Sequence, residues 1–156
     1  MKTLILYATK HGAAREAAER IAKLMEGSRI HDLKQKDIPP LEGFDCVIIG
    51  SSLYAGMIRK EAKSFISQNA GSLQGKRLGL FLCGIEGSGE KKYFDDNFPP
   101  DILKAAKAKN FLGGIFDPKK AGMMDRLIIK AAAKITEYTD NIDDVKIKQF
   151  VEAMKS

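Results

Sequence analysis

The residues best suited to chemistry lie close to the N-terminus, in a turn of six residues. They are Thr9, Lys10, His11, Gly12, Ala13 and Ala14. A short uncharged run typical of a buried strand precedes this turn, and alanines at helical spacing follow it. So short a turn directs the free N–H groups of the first helical turn, and the positive end of the helix dipole, towards the end of the strand. The segment therefore predicts an anion site, with a phosphate as the expected ligand.

The spacing of residues excludes several other kinds of phosphate site. A dinucleotide-binding turn requires G-x-G-x-x-G, and this turn contains only Gly12. The nearest match to G-x-x-x-x-G-K-[ST] begins at Gly71, is one residue short and precedes a strand instead of following one. A receiver domain would need an aspartate after the third predicted strand, where two serines follow Gly50. A small phosphatase would need an arginine six residues after its cysteine, where Gly89 follows Cys83.

Two further turns follow strands of buried type. The first contains Ser51, Ser52, Leu53, Tyr54, Ala55 and Gly56. The second contains Cys83, Gly84, Ile85, Glu86, Gly87, Ser88 and Gly89. In an open parallel sheet, ligands bind outside the carboxyl ends of the strands, where the winding reverses. The three turns are therefore expected to meet in one crevice.

Strand and helix patterns alternate along the chain. Strands are predicted at residues 3–7, 29–33, 44–50, 77–83 and 110–116, and helices at 14–25, 58–69, 101–108 and 123–135, with a last helix capped by Asp140 or Asn141. Such alternation predicts an α/β fold: a five-stranded parallel sheet of order 2-1-3-4-5 with helices on both faces. Residues 1–156 are expected to form a single domain.

Composition narrows the class of protein further. We find no signal-peptide pattern and no apolar run near the roughly 20 residues of a membrane span, so a cytoplasmic protein is expected. Cys46 and Cys83 lie in apolar runs, which favours buried thiols over a disulfide. The two histidines stand apart, so no metal site is predicted, and nothing indicates nucleic-acid binding. The net charge of +6 comes entirely from residues 104–134, which indicates an anionic partner there or simply a solvated lysine rim.

The turn at residues 9–14 resembles the phosphate loop of flavodoxins, T/S-x-T-G-x-T, with His11 and Ala14 at two of the hydroxyl positions. The resemblance implies FMN as cofactor, with its phosphate in this turn and its isoalloxazine ring between the other two. The phosphate would then depend on backbone N–H groups, on Thr9, and on Lys10 or His11 as cations. Tyr54 is the candidate to stack on the ring, although an ordinary surface tyrosine fits the same pattern. For Glu86, a solvated loop charge is favoured over a catalytic role.

A more specific resemblance involves the opening residues 1–6, the turn at 9–12, residues 47–52, and the segments 117–119 and 125–130. These are similar to the menaquinone-dependent protoporphyrinogen oxidases within the flavodoxin superfamily. That likeness implies oxidation of protoporphyrinogen IX and electron transfer to a quinone, although no residue can be matched to a catalytic acid or base.

The segment that begins at Lys119 and ends at Ile135 carries an apolar stripe flanked by Arg126, Lys130 and Lys134. This layout is typical of a helix lying on anionic lipid, and more commonly of a helix packed on a sheet with lysines at its rim. It permits peripheral contact with the inner face of the cell membrane.

Three functions follow. The first is an FMN-dependent oxidoreductase acting on protoporphyrinogen with a quinone or redox-protein partner. The second is a soluble flavodoxin-type electron carrier. The third is a flavin-free binding module on the same fold. The oligomeric state cannot be predicted from these patterns.

Overall fold

The computed structural model describes the backbone of residues 1–156 and all side chains except those of residues 132 and 133. The strands are β1 (Thr3–Ala8), β2 (Arg29–Asp32), β3 (Cys46–Tyr54), β4 (Met57–Ile58), β5 (Arg77–Cys83), β6 (Ala106–Phe111), β7 (Ile115–Phe116) and β8 (Thr139–Asp140). The α-helices are α1 (Ala13–Leu24), α2 (Lys60–Gln74), α3 (Glu90–Asn97), α4 (Pro100–Ala105), α5 (Met123–Ala133) and α6 (Asp144–Lys155).

Five of these strands form the main parallel sheet, in the order β2-β1-β3-β5-β6. Because β4 is only a short antiparallel return against the end of β3, this order is the predicted 2-1-3-4-5. The α/β fold class and the topology are confirmed. The carboxyl ends of β1, β3 and β5 therefore lie side by side, which places the three predicted turns at one edge.

The core lies on both faces of the sheet, because successive side chains of a strand point to opposite sides. In β1, Leu4 and Leu6 pack towards α2, α3 and α4, whereas Ile5 and Tyr7 pack towards α1 and α6. Helix α5 belongs to neither layer. None of its described residues is buried, and Met123, Met124 and Leu127 are each more than half exposed.

The ends of several elements differ from the predictions. Strand β3 continues through residues 51–54, which were predicted as a turn, so that only Ala55 and Gly56 form the turn. Both residues have positive φ, at 51° and 77°, as the tightest β-hairpin turns require.

The predicted fifth strand lies too late in the sequence. The helix predicted at residues 101–108 ends at Ala105, and β6 occupies residues 106–111 instead of 110–116. The cause is pairing with β5 at the sheet edge, where buried Ala108 and Phe111 alternate with exposed Lys107 and Lys109. That alternation of lysines with alanines also fits a helix.

The predicted cap of the last helix was also wrong. Asp143 caps α6, and its carboxylate accepts from the N–H groups of Val145 and Lys146. Asp140 instead pairs with Arg20, at 2.9 Å. The short elements β4, α3 and β8 were not predicted, and β7 lies at the end of the strand predicted at residues 110–116.

Cys46 and Cys83 are buried free thiols, as predicted, and burial raises the pKa of both. Within the part of the chain that the structure describes, no cluster of metal-ligating side chains occurs. None of the described helices is both long enough and apolar enough to cross a bilayer.

Candidate functional site

The turn between β1 and α1 is held by two hydrogen bonds that its backbone N–H groups donate to side-chain hydroxyl oxygens. Thr9 Oγ1 accepts from the N–H of Gly12 at 2.9 Å, and the N–H of Lys10 donates to Ser52 Oγ at 3.1 Å. Gly12 has φ 101°, a left-handed conformation that glycine adopts without strain, and it begins α1 as the N-cap. Its position explains why the chain can turn so sharply into the helix.

Helix α1 has no side-chain cap among the described contacts. Its first intrahelical bond runs from the N–H of Glu16 to the carbonyl of Gly12, at 3.0 Å. The N–H groups of Ala13, Ala14 and Arg15 therefore have no partner within the helix. Three converging donors at the positive end of a 12-residue helix attract an anion.

The end of β3 supplies the next part of the site. Ser51 is buried, and its hydroxyl accepts from the N–H of Arg59 while donating to the carbonyl of Ser52, both at 2.9 Å. Ser51 therefore braces the strand end and does not reach the cavity. Leu53, Tyr54 and Ala55 line the cavity, together with Ser52.

The third turn divides into two parts. Cys83, Gly84 and Ile85 line the same cavity, and the N–H of Gly84 donates to the carbonyl of Gly113 at 3.0 Å. The structure does not bring the remaining predicted residues to the lining. They are Glu86, Gly87, Ser88 and Gly89.

These four residues instead have local structural roles. Glu86 Oε1 accepts from the N–H of Ser88 at 2.7 Å, and this bonding lowers the pKa of Glu86. A Cβ at Gly87 would lie 2.7 Å from the ring of Phe111, so only glycine fits against that ring. Gly89 is the N-cap of α3.

Of the other predicted residues, Lys10, His11 and Ala13 line the cavity as well. Thr9, Gly12, Ala14 and Gly56 shape the turns behind it. The cavity has a volume of about 110 Å³ and is partly open to solvent. This is below the roughly 300–1,000 Å³ of typical small-molecule pockets, so a ligand with a large ring system would have to displace part of the lining.

Helix α5 and the segments around it form the opposite wall, which the sequence reasoning missed. The lining residues there are Gly114, Ile115, Phe116, Ala121, Asp125, Ile128 and Ile129. One signal was available: Asp125 is the only carboxylate among residues 118–136, within an otherwise basic segment. A lone acid of this kind indicates a specific cationic partner elsewhere in the fold.

Asp125 joins α5 to the phosphate turn. Its carboxylate accepts from Lys10 Nζ at 2.9 Å and lies 3.0 Å from His11 Nε2. Because a carboxylate can only accept, the imidazole nitrogen is the donor in that contact. The Asp125 side chain is 12% exposed. Burial alone would raise its pKa, but hydrogen bonds from Lys10, His11 and Tyr54 outweigh burial and lower the pKa of Asp125 to about 2.

The same lysine also covers an aromatic face. Lys10 Nζ lies 3.5 Å from the centroid of the Tyr54 ring, within the range of a cation–π contact. Lys10, His11, Tyr54 and Asp125 thus form one connected polar cluster between the phosphate turn and α5. The rest of the α5 wall is mainly apolar.

The sequence matches the model of the flavodoxin domain family over residues 4–143. The chain therefore belongs to the flavodoxin domain family. A search of curated proteins found no significant match.

Solved structures share the fold. Flavodoxin 1 of Bacillus cereus superposes with a TM-score of 0.63 at 13% identity, over 99% of this chain and 97% of that chain. A flavodoxin of Streptococcus pneumoniae TIGR4 gives 0.63 at 17% identity, over 99% and 98%. A flavoprotein of Lactobacillus acidophilus, solved in complex with FMN, gives 0.51 at 19% identity, over 72% and 90%. At these identities the similarity demonstrates the fold.

Proposed function

We propose that this chain binds FMN in the cavity between the three turns and α5, and that it serves as a flavodoxin-type electron-transfer protein. The observation that carries the proposal is the uncapped N-terminus of α1, at the sheet edge where the turns after β1, β3 and β5 meet. Membership of the flavodoxin domain family supports it. So does the FMN held by the Lactobacillus acidophilus structural neighbour.

The donor set fits a phosphate monoester. The N–H groups of Ala13, Ala14 and Arg15 point out of the helix end, and the hydroxyl of Thr9 lies in the same turn. Leu53, Ile85 and the α5 isoleucines provide apolar surface for a flat ring system. Lys10 covers one face of Tyr54, so a ring could stack on that face only after Lys10 moves.

When bound, FMN supplies a ring that accepts and gives up electrons, while the chain provides position and electrostatics. A single positive charge about 8 Å from the ring would favour negative charge on it by about 2 kcal/mol at an effective dielectric constant near 20. Lys10 is the lysine in the cavity lining, and its ion pair with Asp125 would offset most of such an effect. The cavity is therefore close to electrically neutral apart from the helix end.

The test is to purify the protein, add FMN and remove the excess. We expect a yellow protein with one FMN per chain, which a chemical reductant bleaches and a protein electron acceptor restores. Absence of FMN binding at millimolar cofactor would contradict the proposal. The flavin-free binding module would then take its place.

As a second candidate, we propose oxidation of protoporphyrinogen IX with electrons passed to a quinone. The observation that favours it is the exposed apolar face of α5, where Met123, Met124 and Leu127 lie beside Arg126 and Lys130. The family match and the structural neighbours support the electron carrier at least as well. An anaerobic assay separates the two: protoporphyrinogen should reduce the FMN-loaded protein, and a menaquinone analogue should reoxidise it. Absence of turnover with any quinone would eliminate this candidate.

This second candidate requires the segment from Lys119 to Ile135, which contains α5, to contact the cytoplasmic face of a membrane. The side chains of residues 132 and 133 in this segment lie outside the described residues. The double change Lys130→Glu and Lys134→Glu should weaken binding to vesicles that contain anionic lipid, because it reverses two charges beside the apolar face. The control is Lys91→Glu with Lys92→Glu on α3, which should leave vesicle binding unchanged. Equal binding by all three proteins would refute membrane contact through α5.

A further inference from the structure

Helix α5 contributes a negative charge to a site whose expected ligand is also negative. Asp125 is the member of α5 that reaches the phosphate turn, and it contacts Lys10 and His11 there. These two residues immediately precede Gly12, the N-cap of α1. They are therefore the polar donor side chains on the strand side of the anion-binding helix end, whereas Arg15 in the first turn of α1 is paired with Glu19 at 2.9 Å.

Both side chains are already engaged by Asp125. The ammonium of Lys10 lies 3.1 Å from Oδ1 and 2.9 Å from Oδ2 of the carboxylate, so that the two oxygens share it. The imidazole of His11 lies 3.0 Å from Oδ2. A phosphate bound at the end of α1 would have to compete for these donors, because Asp125 already binds them. It would also be repelled by the carboxylate, which carries charge of the same sign.

We propose that Asp125 is an internal competitor of the ligand's phosphate for Lys10 and His11, and that it thereby sets how strongly the site prefers a phosphorylated flavin over an unphosphorylated one. The proposal rests on the phosphate turn of the proposed function. Its consequence is that FMN is held mainly by neutral donors: the backbone N–H groups of α1 and the hydroxyl of Thr9. Removing the charge of Asp125 should free both donor side chains for the phosphate.

The substitution Asp125→Asn tests this, because it keeps the shape of the side chain and removes its charge. We expect FMN to bind about tenfold more tightly, as one charge within several ångströms of a phosphate is worth at least that factor. Riboflavin has the same ring and no phosphate, so its affinity should change less than about twofold by the same argument. The ratio of the two dissociation constants is the readout, because any loosening of α5 would weaken both flavins together.

Glu137→Gln is the matched control. Glu137 lies in the same segment between β7 and β8, is exposed, and has no described side-chain contact with the phosphate turn. Its removal changes the net charge by the same amount and should leave the ratio unchanged. An unchanged or lower ratio in Asp125→Asn would overturn the proposal. An equal increase in Glu137→Gln would also overturn it, since the effect would then be one of general charge.

Inorganic phosphate gives a second readout that does not depend on flavin binding. Titrated against ¹⁵N-labelled protein, it should shift the amide signals of Ala13, Ala14 and Arg15 at lower concentration in Asp125→Asn than in the wild type. If neither protein binds a flavin, the proposed function fails while this titration still decides the role of Asp125. Tighter phosphate binding in the variant supports competition, whereas equal or absent binding refutes it.

Discussion

The two walls of the cavity are built very differently. The sheet wall consists of the turns after β1, β3 and β5, which continue from strands that are buried almost throughout. The hydrogen bond from the N–H of Lys10 to Ser52 Oγ ties the first of these turns to the end of β3. Helix α5, the main part of the opposite wall, has no buried residue among those described, and Asp125 supplies its ion pairs to the phosphate turn. The first wall should therefore open only with the whole domain, and the second at a smaller free-energy cost.

The difference between the two walls distinguishes features that the fold imposes from a feature that is particular to this chain. Any sheet of this topology brings three turns to one edge. Helix α5, which Asp125 joins to that edge, is a separate feature, and it can respond to ligands without disturbing the sheet.

The largest contrast should come from adding one methyl group to each wall. At Gly50 in β3, a Cβ would lie 1.9 Å from the ring of Phe81, so Gly50→Ala should lower the free energy of unfolding by about 3 kcal/mol through overpacking. At Gly122, the N-cap of α5, a Cβ would meet nothing within 4 Å, and Gly122→Ala should cost less than about 1 kcal/mol. Urea unfolding measures both. Equal losses would contradict the proposed difference between the walls.

The next largest effect is expected when the pH is lowered. The pKa of Asp125 is lowered from 3.8 to about 2 in the folded protein, so its stabilising contribution is complete above pH 4 and is lost as the pH falls from about 4 through 2. At 1.36 kcal/mol per pH unit the loss is on the order of 2 kcal/mol. Hydrogen exchange, corrected for intrinsic rates, should show protection of α5 falling over this range before that of the sheet.

Asp125→Asn is the control for the acid effect. Its α5 amides should be less protected at pH 6 and should show little further loss between pH 4 and 2, because the titrating carboxyl is absent. If α5 and the sheet lost protection together in the wild type, the two walls would be one cooperative unit.

The smallest effect on stability is expected at the outer face of α5. Leu127 is 57% exposed, so Leu127→Ser should change the free energy of unfolding by less than about 0.5 kcal/mol. Leu80→Ser in β5 is the counterpart in the sheet and should be severely destabilising, because Leu80 is fully buried. Thermal unfolding of the two variants tests this, and a large loss at Leu127 would mean that α5 packs on another surface in solution.

The sequence was sufficient for the inner strands of the sheet and for the existence of α5, but not for edge strand β6 or for the position of α5 over the cavity. The run Arg77–Cys83 is apolar after its first residue because β5 is central in the sheet, and its bounds were predicted correctly. Edge strand β6 alternates lysines with buried residues, and that pattern was mistaken for part of a helix. Helix α3 is polar, and its i,i+4 pairs Lys91–Asp95 and Lys92–Asp96 were the missed signal.

In the candidate site, too, the sheet side was easier to predict from the sequence than the α5 side. Turns that follow buried strands can be located from the strands themselves, so the residues that line the sheet side of the cavity were among those predicted, whereas Ser51 and residues 86–89 do not reach it. The contact between Asp125 and Lys10 joins residues 115 positions apart, and no local pattern encodes it. Only the three-dimensional placement of α5 brings the two charges together.

The most direct test of the account is a titration of ¹⁵N-labelled protein with FMN, followed by amide chemical shifts. The account predicts saturable changes concentrated in residues 9–15, 52–55 and 83–85 and in α5, with the far ends of the strands unaffected. Absence of any change at saturating FMN, or changes centred away from the carboxyl ends of β1, β3 and β5, would contradict it.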